Sequence, residues 1–299
     1  MNFLESEFAQ AEEPEARFHI IPVPLEATVS WGKGTAKGPE AILEASQELE
    51  AWDGACIPGE AGFYTAPPVP CASSREEYSL AIQKAVARAL AFAPPADIAN
   101  RRVPVVLGGE HSLTLPVMRA VTEYYTREPI GIIQFDAHAD LRDQLDGNPY
   151  SHGCVMRRIH ESLGLAIMQL GARALCAEEI AYREKNAIAH IDARKLAEHN
   201  IHEVPLPPDF PPLVYISFDL DALDPAIMPA TGTPVPGGLF WYQTLALLES
   251  VARQRVIIGM DMVELAPIAG FPAPSFLAAD LIHKMMGMTL QRMPHKDKI

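Results

Sequence analysis

IIQFDAHAD, residues 132–140, starts as a strand and ends as a set of metal-ligand side chains. Ile132, Ile133 and Phe135 are apolar, with Gln134 among them, and Asp136, His138 and Asp140 follow at alternate positions. In an extended chain, residues i, i+2 and i+4 point the same way, so the three polar residues start on one face. Three other stretches have the same design. VPVVLGG (103–109) runs into Glu110 and His111, LVYISFDLD (213–221) ends in Asp219 and Asp221, and RVIIGMDMVEL (255–265) carries Asp261 and Glu264. FHIIPVPL (18–25) and AIMQLGAR (166–173) read as further strands.

Helical patterns lie between them. GPEAILEASQELEAW (38–52) has Pro39 near its first turn, with Ile42, Ala45, Leu49 and Trp52 at helical spacing. Helices are also expected over 76–92, 112–125, 151–164, 241–253 and 276–288. The strands are continuously apolar and alternate with helices. That combination predicts an α/β fold, a mostly parallel sheet covered on both faces by helices. In such sheets, ligands sit at the carboxyl ends of the strands, where the four polar clusters fall.

Composition narrows the function. A net charge of −14 over 299 residues argues against nucleic acid, since phosphate binding wants Lys and Arg on one face. It is compatible with a small cationic substrate. Cys56, Cys71, Cys154 and Cys176 show no metal-site spacing and read as reduced thiols. The acidic N-terminus lacks the apolar core of a signal peptide, and no apolar run is long enough for a membrane span. A cytoplasmic protein of one domain, residues 1–299, is expected, with 1–17 as a loosely ordered extension. No internal repeat is visible.

His111, Asp136, His138, Asp140, Asp219 and Asp221 amount to four carboxylates and two imidazoles. Each alone reads more readily as a cap, a turn residue or a satisfied core histidine. Together in a buried cleft, four carboxylates must protonate or bind cations. One divalent ion cannot use six protein ligands and keep an open position. Two can, with shared carboxylates bridging them at about 3.5–4 Å. Carboxylate-rich ligation favours Mn²⁺ over Zn²⁺, and a water bridging two such ions becomes hydroxide near neutral pH.

With these motifs in view, the sequence resembles the ureohydrolase superfamily of arginases and agmatinases. The resemblance rests on GGEHS (108–112), FDAHAD (135–140), SFDLDALDP (217–225), PATGTPVPGG (229–238) and DMVEL (261–265), in the family's order. SWGKGTAKGPEAI (30–42) extends it. It implies a three-layer α/β/α sandwich with a mostly parallel central sheet of about eight strands, and a binuclear manganese centre with two Mn²⁺ per subunit. Carried over, His111, Asp136, Asp140 and Asp219 hold one ion. Asp136, His138, Asp219 and Asp221 hold the other. Asp140 takes a hydrogen bond from the bridging hydroxide and relays its proton to the leaving amine. Glu264 pairs with the substrate guanidinium, Thr233 supports Glu264, and His152 shuttles protons. The resemblance also implies a homo-oligomer, trimer or hexamer.

GARAL (171–175) offers no acid where arginases read the substrate's amino group, and the flanks of the site look like prokaryotic agmatinases. Agmatine, cleaved to putrescine and urea, is the expected substrate. The scaffold also serves guanidinobutyrate, guanidinopropionate, guanidine, arginine and formiminoglutamate, and a catalytically silent polyamine-binding relative is the rival of another class. A carboxylated substrate would need a cation at the mouth, and Arg142, Arg157, Arg158 and Arg173 lie in that region. Trp31 stands where tyrosine is common. His283, in an apolar helix, reads as structural.

Overall fold

The computed structural model describes residues 1–71, 74–92, 98 and 100–290; the tail PHKDKI lies outside them. In chain order the strands and helices are β1 (Phe18–Val23), α1 (Gly38–Ser46), β2 (Phe63–Thr65), α2 (Arg75–Leu90), β3 (Val103–Gly108), α3 (Thr114–Tyr124), β4 (Ile130–Phe135), α4 (Val155–Leu163), β5 (Ala166–Leu170), α5 (Ala177–Asn186), β6 (Ala189–Ile191), α6 (Ala193–Glu198), β7 (Leu213–Asp219), α7 (Trp241–Gln254), β8 (Val256–Val263) and α8 (Ala273–Leu290). The eight strands form one sheet in the order β2-β1-β3-β8-β7-β4-β5-β6, and every pairing is parallel.

The continuous apolar runs have a direct cause. Alternate residues of each strand enter two different cores. Phe18, Ile20, Val105, Leu107, Ile133 and Phe135 join α1, α7 and α8 on one face. Ile21, Val23, Val106, Ile130 and Ile132 join α2, α3 and α4 on the other. The result is the three-layer sandwich.

Two expectations are corrected. Residues 1–17 are not a loose extension: Phe3 and Leu4 are buried in the core. Their N–H groups donate to Thr65 Oγ1 and Ser46 Oγ, both at 2.9 Å. The first helix stops at Ser46 rather than reaching Trp52, which is exposed. There the Gln47 amide donates to the carbonyls of Leu43 and Asn2, closing the helix end onto the N-terminal segment. The short β2, α5, β6 and α6 have no counterpart in the sequence reading.

Candidate metal centre and active site

The sheet order does most of the assembly. The four strands with polar ends, β3, β8, β7 and β4, are consecutive neighbours, so His111, Glu264, Asp219 and Asp136 emerge side by side. The turn after β3 passes close to the loop after β1. A Cβ on Gly109 would collide with the Leu25 carbonyl oxygen, so only glycine fits there.

The gathering of Asp136, His138 and Asp140 is not the pleat's doing. β4 ends at Phe135, and Asp140 has φ of 53°, outside any strand conformation. Backbone N–H groups hold the carboxylates instead. His138 N–H donates to Asp136 Oδ1 (2.6 Å), Ala137 N–H to Asp221 Oδ1 (2.9 Å) and Asp221 N–H to Asp219 Oδ1 (2.8 Å).

Two ligand groups result, His111–Asp136–Asp140 and Asp136–His138–Asp221, sharing Asp136. His111 Nδ1 faces Asp140 Oδ2 at 3.0 Å, Asp136 Oδ2 at 3.2 Å and Asp219 Oδ2 at 3.5 Å. His138 Nδ1 lies 3.0 Å from Asp221 Oδ2. His111 Nδ1 is buried without a hydrogen-bond partner among the described residues. Its other nitrogen, Nε2, meets Ser217 Oγ at 2.8 Å, and Ser217 donates to Asp261 Oδ1 at 2.8 Å. A carboxylate only accepts, so Ser217 accepts from Nε2–H, and the Nδ1 lone pair is left for a ligand.

The electrostatics ask for cations. Burial raises Asp219 well above the usual carboxylate range, and the charges of Asp221 and Asp136 add to it. Burial, with Asp136 next, pushes Asp140 up to about 6. Burial opposes charge on His138, yet Asp136 and Asp221 push it up to about 12. An orphaned imidazole nitrogen facing crowded carboxylates fits a divalent metal site.

A cavity of about 180 Å³ opens here. Its lining includes every ligand candidate except Asp136, together with Glu264, His152, Thr233, Trp31 and Arg142. Glu264, at φ 67°, follows β8 and accepts from His111 N–H at 2.7 Å. Burial, with Glu110 next among the raising causes, pushes it up to about 8. Thr233 does not take the expected supporting role: among the described residues, no hydrogen bond joins it to Glu264. His152 sits among hydroxyls, with Ser151 Oγ at 3.2 Å, Thr28 Oγ1 at 3.4 Å and Ser30 Oγ at 3.5 Å from its ring nitrogens.

The four arginines separate. Arg173 spends its guanidinium on the carbonyls of Val235, Gly171, Asp221, Ala222 and Leu223. Arg157 and Arg158 pair with Asp143, Glu161 and, for Arg157, Glu178. Among the described residues, Arg142 lines the cavity with no such partner for its guanidinium. The sequence reading assigned no role to Ser217, to Gln134, whose amide donates to Asp136 Oδ2 at 2.7 Å, or to the buried Glu110, which accepts from the N–H groups of Ala27 and Thr28. A signal existed for Gln134, an amide set in an apolar strand, as Gln169 is in β5.

The Arginase family model matches residues 16–287. The N(1)-aminopropylagmatine ureohydrolase of Synechocystis sp. is 39% identical over 95% of this chain and 92% of its own length. A protein of the same name from Thermus thermophilus is 38% identical over 94% of each. The agmatinase of Pyrococcus horikoshii is 32% identical over 95% and 96%. Among solved structures, the agmatine ureohydrolase of Thermoplasma volcanium superposes with a TM-score of 0.79 at 27% identity, covering 96% of both chains.

Proposed function

The chain belongs to the arginase family, and from that premise we propose that it hydrolyses the guanidinium of an agmatine-type guanidinoamine to urea and the free amine, N1-aminopropylagmatine ahead of agmatine. The carrying observation is Glu264, a buried carboxylate opening on the same cavity as both ligand groups. A planar guanidinium beside it makes paired N–H bonds and favours the ionised form that burial alone opposes.

His111, Asp136, Asp140 and Asp219 would hold one divalent ion, and Asp136, His138, Asp219 and Asp221 the other; the carboxylate-rich donors favour Mn²⁺. When bound, such a pair lowers the pKa of water and supplies a nucleophile at neutral pH. Glu264 orients the guanidinium carbon toward it. Asp140 takes a proton on its carboxylate and passes it to the departing amine nitrogen, which leaves neutral. His152, within its ring of hydroxyls, exchanges protons with solvent at the mouth.

The amine end is supported by charge and size. Three of the four arginines near the mouth are committed to other partners, and the lining is rich in carboxylates. The cavity of about 180 Å³ is below the usual range of roughly 300–1,000 Å³ for small-molecule sites. It holds the guanidinium head, while the chain extends past the mouth, where the exposed Trp31 stands. A longer amine tail is therefore accommodated without altering the core. This agrees with the names of the more similar relatives. Arg142 favours one second reading, a carboxylated guanidine.

The test is urea release by Mn²⁺-loaded protein from N1-aminopropylagmatine, agmatine, arginine, 4-guanidinobutyrate and guanidine. Urea from the two guanidinoamines is expected, and Glu264→Ala should lower kcat/KM by roughly 10²–10³-fold. Urea from 4-guanidinobutyrate alone would sink the proposed substrate and turn attention to Arg142.

A further inference from the structure

Gln134 lies in β4 between Ile133 and Phe135 and is fully buried. A buried amide must find partners for both its ends. Its Nε2 donates to Asp136 Oδ2 at 2.7 Å. Its Oε1 accepts from Nε2 of Gln169 at 2.5 Å, and Gln169 is its register partner on β5. Gln169 Nε2 donates also to the Ala139 carbonyl at 2.7 Å. Gln169 Oε1 accepts from Arg183 Nε at 2.7 Å, and Arg183 Nη1 pairs with Asp192 at 2.8 Å. Gln169 and Arg183 are 1% and 4% exposed.

The direction of this chain is forced. A guanidinium only donates, and the carboxylate at the other end only accepts. Both amides between them therefore have one allowed orientation, and flipping either would set donor against donor and acceptor against acceptor. The chain ends on a particular atom. Asp136 Oδ2 faces His111 Nδ1 at 3.2 Å. Oδ1 is taken by His138 N–H and looks toward His138 Nδ1 at 3.6 Å. Asp136 is shared by the two ligand groups, and Gln134 acts on its His111 side.

We propose that Gln134, aligned by Gln169 and Arg183, is a positioning residue that sets Asp136 Oδ2 for the ion held by His111, Asp136 and Asp140. The assignment rests on the reading that the site takes divalent ions. Its consequence is selective: losing the Gln134 donor weakens one ion and spares the other. A packing role has no such selectivity.

The experiment is calorimetric titration of metal-free protein with Mn²⁺, for wild type, Gln134→Met, Gln169→Met and the double variant. Methionine keeps the length and removes the amide. Gln134→Met should weaken one of two ions by about 10–100-fold. Gln169→Met should weaken the same ion less, and the double variant should be no worse than Gln134→Met, because the residues act in series. Wild-type affinity for both ions in Gln134→Met, equal weakening of both, or additive losses would each overturn the proposal. If Gln134→Met fails to fold by far-UV circular dichroism, Gln169→Met, which touches no ligand side chain, decides alone: one weakened ion supports the chain and two unchanged ions reject it. Wild-type protein that takes up no ion would remove the metal reading and this assignment together.

Discussion

Among single residues, the ligand candidates are legible in the sequence because chemistry restricts them. Four aspartates and two histidines at strand ends have few other reasons to converge. Their supports are not legible, because Ser217 and Gln134 gain their roles only from what lies across the sheet. Ser217 illustrates the cost of ignoring them. Ser217→Ala removes the acceptor for His111 Nε2–H and leaves a buried donor unmet, a loss of about 1–3 kcal/mol. It also frees the ring to carry its proton on Nδ1, the atom that faces the three carboxylates. The variant should bind the ion on the His111 side about tenfold or more weakly, read by competition with a chelator. Unchanged affinity would mean that Ser217 does not set the tautomer. Thr233 shows the opposite error: it lines the cavity, but among the described residues no hydrogen bond joins it to Glu264, and the His111 N–H holds that carboxylate instead.

Among the strands and helices, β1, β3, β4, β5, β7 and β8 can be read because burial on both faces writes an unbroken apolar run. The elements between Ala177 and Glu198 cannot. β6 is three residues at the sheet edge with only Ile191 buried, and α5 buries only Glu179 and Arg183. Helix α5 is capped by Ala187, at φ of 51°, rather than by a glycine, so no glycine stop signal marks its end. The loops after the strands are where the site is held, and Arg173 is their fastener. Its Nη2 donates to the Asp221 carbonyl at 2.7 Å and the Val235 carbonyl at 2.7 Å. It thereby ties the turn that presents Asp221 to the segment beyond Thr233. Arg173→Met would keep the stem and remove this donor from the Asp221 and Val235 carbonyls. Stability should fall by about 2–4 kcal/mol, and the ion on the Asp221 side should weaken. Arg173→Lys, which cannot fork, should recover only part of either loss. A denaturation midpoint and ion affinities equal to wild type would show the clamp to be idle.

Across the molecule as a whole, the two cores on either side of the sheet contain histidines with no part in the site. His283 on α8 is fully buried, packed near Phe3 and Phe63, and neither ring nitrogen has a hydrogen-bond partner among the described residues. Burial lowers its pKa to about 4; Asp53 works against that and Lys284 with it. His19 is lowered to about 4 as well, again mainly by burial. The folded chain thus keeps both rings neutral down to about pH 4, while the unfolded chain takes up protons below about 6.5. Between those limits the unfolded state binds more protons, so stability falls as the pH drops. For a shift of this size, each ring contributes a loss of roughly 2 kcal/mol by pH 5. His283→Leu removes one of the two. In urea denaturation of the metal-free protein, where ligand titration is common to both proteins, the variant should be at least as stable as wild type at pH 7.5. It should lead by roughly 2 kcal/mol at pH 5. Parallel pH profiles for the two proteins would mean that His283 is not held neutral by the core. The helix that carries it has no role in presenting a ligand, and no helix among the described residues is long and apolar enough to cross a membrane. The acid-sensitive contribution of His283 thus lies apart from the candidate metal site, which is at the carboxyl ends of the strands.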